Sequence, residues 1–105
     1  MLRLMGDNGK PNDNILMHIL SPYPEHRSAL TDCTKLANAG FTGRTALLIY
    51  GYEYAEWPME PAIKSFEILA DQYVALGSRN HSEVKQLVHP IHKSGRVFSW
   101  EIFAK

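Results

Sequence analysis

The run Thr45-Ala-Leu-Leu-Ile-Tyr50 constrains the chain most, because it is apolar at nearly every position and is the longest such run present. A membrane-spanning helix needs about 20 apolar residues, so this run excludes a bilayer span of that kind. A short stretch without polar alternation predicts a strand at the centre of a sheet, covered on both faces. Helices must supply that cover, and two segments have the pattern. Ala29, Leu30, Cys33, Leu36 and Ala37 recur at spacings of three and four, which predicts an amphipathic helix ended by Gly40. Pro61 suits a first helical turn, and Ala62, Ile63, Phe66, Leu69, Ala70, Tyr73 and Val74 then form a broad apolar face before Gly77. Laying this second helix on the central strand predicts burial of Phe66, Leu69 and Leu48.

The remaining segments are shorter. Gly6 to Asn14 (GDNGKPNDN) is a cluster of turn formers, and Met1 to Met5 ahead of it alternates weakly, like the end of a strand. Ile15 to Leu20 (ILMHIL), bounded by that loop and by Ser21-Pro22, predicts a strand buried on both faces. Ser78 to Gln86 is polar and predicts a solvated connection. Leu87 to Ile91 and Arg96 to Phe103 predict two strands around the turn His92-Lys-Ser-Gly95, with Phe98, Trp100 and Ile102 sharing one face. The order strand, helix, strand, helix, strand, strand predicts a single α/β domain over residues 1–105, with residues 1–14 a flexible or strand-remnant segment and polar loop. Its small mixed sheet would have parallel neighbours and two main flanking helices.

Eleven basic residues balance eleven acidic ones, so no overall field recruits nucleic acid or anionic lipid, and such binding needs a local patch. Cys33 is the only cysteine, which rules out an intramolecular disulfide and suits a reducing compartment. Met1 to Met5 has no long apolar core and cannot be a secretory signal, so a cytoplasmic location is expected. In that compartment the sequon Asn80-His81-Ser82 is coincidental.

Glycine-rich phosphate loops, G-x-G-x-x-G and G-x-S-x-G are all missing, and no residue is assigned a catalytic role. Asp32 and Lys35 lie three apart on the first helix, as a solvated ion pair or as a polar pair facing phosphate or a metal-bound water. Arg27 and Arg44 flank that helix and, with Lys35, are the candidate nucleic-acid contacts. Tyr50, Tyr52 and Tyr54 fall on one side of an extended chain, with Trp57 following. Such a row stacks bases, fills a protein interface or simply covers the rim of the core. Glu53, Glu56 and Glu60 make the stretch acidic, which favours the interface over nucleic acid. His89 and His92 lack a third ligand and point to opposite faces of an extended chain, so no metal site is assigned. His18 within the apolar run is a core-edge histidine, and Cys33 on the helix's apolar stripe is inert packing.

The order of elements, together with RSALTDCTKLANAGFTGRTALLIYGYEY, resembles the second half of a PD-(D/E)XK, restriction-endonuclease-like domain. In that likeness Arg27 to Ala39 is the first helix, Thr45 to Tyr54 the central strand, Pro61 to Leu76 the second helix and GRVFSWEIF a late strand. The resemblance implies a nuclease-like protein acting on or near nucleic acid, with Mg²⁺ as cofactor where the acidic motif is complete. Here the ILMHIL segment has no acidic residue, and neither Asp7 nor Asp13 begins an acidic-x-Lys pattern. The resemblance therefore implies a non-catalytic relative, or a domain whose acidic strand lies upstream of Met1. The alternative function is a non-enzymatic α/β interaction domain working as a homodimer, whose apolar strand edge is expected to be Arg96 to Phe103.

Overall fold

The computed structural model describes residues 13–40, 43–53, 58–87 and 94–104. Its elements are α1 (Asp13–Leu20), a 3₁₀ turn (Pro24–His26), α2 (Ala29–Asn38), β1 (Ala46–Tyr52), α3 (Glu60–Ala70), β2 (Val74–Leu76), β3 (Asn80–Lys85) and β4 (Ser94–Ala104). The fold is mixed α/β, a small four-stranded sheet with three α-helices.

The ILMHIL segment forms α1 and not the predicted strand. A short continuous apolar run reads equally as a buried strand or a buried helix, and its leucines and methionine lose little rotamer freedom in a helix. Ile19 is buried, while His18 is exposed and so is not the core-edge histidine expected. Ser28 links this helix to the next: its hydroxyl donates to the Ser21 carbonyl at 2.6 Å and accepts the Thr31 N–H at 3.2 Å, capping α2. As expected, α2 stops at a glycine in the left-handed region, Gly40 with φ of 72°.

Every strand pairs antiparallel to β4, so the parallel neighbours expected are absent among the described residues. The middle of the sheet is also not where the sequence put it. The eleven-residue β4 is central, with β1 along one side and β2 and β3 along the other. Thr45 to Tyr50 is thus an outer strand, and Arg96 to Phe103 belongs to the inner one. Leu87 lies outside any strand, and residues 88–93, which hold the rest of the predicted third strand with His89 and the turn residue His92, lie outside the described residues, as do 1–12.

Beyond Ala70 the helical period gives way. Asp71 to Tyr73 make a turn, with the Tyr73 N–H donating to the Ala70 carbonyl at 2.9 Å, and Val74 pairs with Ala104 in β2. Its β-branched side chain packs as well from a strand as from a helix, and pairing with β4 decides between them. The polar stretch predicted as a connection is β3, whose residues are all exposed. Between β2 and β3 the register steps from Leu76↔Ile102 to Asn80↔Ser99, so Gly77, Ser78 and Arg79 oppose only Trp100 and Glu101. This is a β-bulge, held by the Gly77 N–H donating to the Glu101 carbonyl at 2.8 Å.

Side chains alternate across the sheet. Leu47 and Ile49 of β1 and Phe98, Trp100 and Ile102 of β4 point inward, against Leu30 and Cys33 of α2 and Ile63, Phe66 and Ala70 of α3. Phe66 is fully buried with its ring 4.9 Å from Trp100, and Leu69 is partly buried, but Leu48 is 55% exposed, contrary to expectation. It points to the sheet's outer side, with Ala46 and Tyr50. Among the described residues no helix is long and apolar enough to cross a membrane.

Candidate functional site

Chemistry-bearing side chains gather at the end of the inner face that the helices leave open. Arg79, from the bulge, bonds both acidic residues on one side of α3: its NH1 donates to Glu60, its NH2 to Glu67, and its Nε to Glu67 Oε2 at 3.1 Å. Glu67 Oε2 also accepts the Trp100 indole N–H at 2.9 Å. Arg96 lies 3.7 Å from Glu53 and 3.6 Å from Glu60, and both guanidiniums lie over the buried Phe98 ring, at 5.6 Å for Arg79 and 4.8 Å for Arg96. His81 stacks near the same ring at 5.9 Å. Glu53 accepts the Met59 N–H at 2.6 Å, which supplies a carboxylate to the start of α3 where Met59 itself offers no cap.

These charges satisfy each other more than they await a ligand. Hydrogen bonds from Arg79 hold the Glu60 and Glu67 carboxyls below the usual carboxylate range, with Trp100 adding to the effect at Glu67. The same bonds hold Arg79 protonated more firmly than a free guanidinium. A carboxylate so held is a poor proton donor at neutral pH. Beside the cluster a cavity of about 150 Å³ is lined by Glu53, Glu83, Lys85, Ser94 and Arg96, two acids against two bases. The Arg96 Nε is buried without a partner. Among the described residues no group of three or more His, Cys, Asp or Glu side chains is placed to hold a metal ion.

The candidate nucleic-acid residues come from separate places in the chain: Arg27 before α2, Lys35 on it and Arg44 before β1. Arg27 precedes the cap of α2 with a left-handed φ of 51°, while Lys35 sits within the helix, seven residues beyond the Ser28 cap. Arg44 is turned onto the sheet, its Nε and NH2 donating to the two Glu101 oxygens at 2.9 and 2.8 Å. Cys33 is fully buried, and burial, reinforced by the Asp32 charge, pushes its thiol up to about 11, as befits inert packing.

The aromatic row behaves differently. Tyr50 is 74% exposed on the outer side and Tyr52, two residues on, shares that side half-buried; Tyr54 and Trp57 lie outside the described residues. With Ala46 and Leu48 they make the outer side of β1 wholly apolar or aromatic, where an open antiparallel face normally alternates to polar. Phe103 of β4 and Val84 of β3 add exposed apolar groups to the same side.

No protein-family model matches this chain, no curated protein matches it, and no solved structure matches it. Sequence reasoning missed the arginine and glutamate cluster. Glu60 and Glu67, seven apart and so on one side of a helix, were a visible signal, but Arg79 and Arg96 are brought to them by β-pairing that the sequence does not spell out.

Proposed function

We propose that this protein is a non-enzymatic interaction domain that works as a homodimer through β1 and the apolar outer side of that strand. The observation that carries this reading is the exposure of Leu48 and Tyr50 on a strand with no charged residue, while the helices cover the opposite face. Contiguous exposed apolar surface marks association sites, and a two-fold contact buries one patch on both subunits. Zero formal net charge offers little repulsion against self-association.

The nuclease-like reading draws less support. Mg²⁺-dependent cleavage needs carboxylates grouped around the ion, whereas Glu60 and Glu67 are held by Arg79, and Arg44 is neutralised by Glu101. The mass by light scattering is expected to rise towards twice the 11.9 kDa chain mass as concentration climbs through the micromolar range, and Leu48→Asp, on an exposed position, to return the chain to a folded monomer. A wild-type monomer throughout that range refutes the proposal.

A further inference from the structure

We infer that two copies join edge to edge through β1, antiparallel about a two-fold axis at Ile49, so that their sheets run into one; this rests on the homodimer reading above. The backbone of β1 sets the terms. The Ile102 N–H donates to the Thr45 carbonyl at 2.8 Å and the Glu53 N–H to the Ser94 carbonyl at 3.1 Å, so odd-numbered residues face β4. The N–H and C=O groups of Ala46, Leu48 and Tyr50 therefore face the other edge, where no strand pairs among the described residues.

The two edges of the sheet differ in how they discourage pairing. Along β3 stand Glu83 and Lys85, following a bulge, and these are the features that keep edges apart. β1, with the sequence ALLIYGY, has no charge, proline or bulge over seven residues. Its sequence is also self-complementary under the proposed symmetry. With Ile49 opposite itself, Leu48 meets Tyr50 of the partner subunit, Leu47 meets Gly51 of the partner subunit and Ala46 meets Tyr52 of the partner subunit. Large side chains fall beside small ones at the ends, and the middle holds aromatic against aliphatic pairs of the kind that stabilise sheets. This register also pairs all seven residues and makes each Leu48–Tyr50 couple a hydrogen-bonded one.

A seven-residue strand is about 24 Å long, and with a helix layer behind it the contact is about 500 Å² per subunit, below the roughly 800 Å² of a standard interface. Dimerisation is therefore expected to depend on concentration in the micromolar range.

The test is to mix two single variants, Leu48→Cys and Tyr50→Cys, under oxidising conditions. Hydrogen-bonded antiparallel partners have Cα atoms about 5.5 Å apart, within disulfide reach. Identical positions in this register are diagonal, about 7 to 8 Å apart. The buried Cys33 stays out of the reaction. A covalent dimer in the mixture, with little in either variant alone, supports the register. Dimers by light scattering without that covalent product overturn edge pairing and leave the homodimer reading standing; monomers overturn both. The wild-type chain gives a second readout if the variants fold poorly. Exchange of the Leu48 and Tyr50 amides should slow at least tenfold between about 1 and 100 μM protein as the edge strands pair. Amides protected equally at both concentrations in a chain that light scattering shows to be a monomer would mean that the edge is covered within one chain, and overturn the inference.

Discussion

Replacing Arg79 by methionine keeps an unbranched stem but removes the guanidinium that three hydrogen bonds tie to Glu60 and Glu67. The side chains are 22%, 31% and 29% exposed, neither solvated nor sealed. An exposed ion pair is worth about 0 to 1 kcal/mol and breaking a buried one costs about 3 to 5, so a loss of about 2 to 3 kcal/mol is expected at pH 7. For a domain of this size that lowers Tm by about 10 to 15 °C. Urea unfolding at several pH values checks both size and cause. The Glu60 and Glu67 carboxyls titrate below their ordinary value of about 4.3, so their stabilisation is complete above that pH and fades as pH falls through the lower folded values. Wild type and variant should thus differ fully at neutral pH and converge as the pH falls through the lowered carboxyl values. A loss under about 1 kcal/mol, or a gap unchanged by acid, would show that solvent screens the cluster.

Phe66→Ala, at a fully buried ring against Trp100, should cost about 3 to 5 kcal/mol in the same assay; under 1 kcal/mol would place α3 elsewhere. Cys33 should react with a thiol reagent only upon unfolding, because burial and a thiol raised to about 11 both withhold the thiolate; rapid modification of the folded chain would contradict this. Gly95→Ala should destabilise β1 against β4, since its Cβ would lie 2.7 Å from the Gly51 carbonyl oxygen, and an unchanged denaturation midpoint would refute that contact.

What could be read beforehand was helix α2, the first part of α3 and the inward set Phe98, Trp100 and Ile102, where local periodicity and burial agree. What could not was anything set by pairing between distant segments. Thr45 to Tyr50 looks central because both its sides are apolar, yet one of those sides faces solvent, so the pattern reported exposed apolar surface as if it were core. Asn80 to Lys85 looks like a loop because every residue is exposed, and only the long partner strand β4 makes it a strand. Arg79 and Arg96 are far from Glu60 and Glu67 in the chain, and no spacing rule joins them.

The bulge at Gly77, Ser78 and Arg79 absorbs one surplus residue between β2 and β3. Strand residues alternate sides, and pairing with β4 sets Asn80, Ser82 and Val84 on the outer side and turns His81 and Glu83 inward beside Phe98 and Arg96. Removing one of the three would leave two residues opposite two, so the ladder would run on unbroken and every residue of β3 would keep its side and its partner on β4. The connection is therefore expected to tolerate loss of Ser78 better than loss of Arg79, which bonds Glu60 and Glu67, with Gly77 held small by Glu101, whose Cβ would lie 3.2 Å from any Cβ placed there.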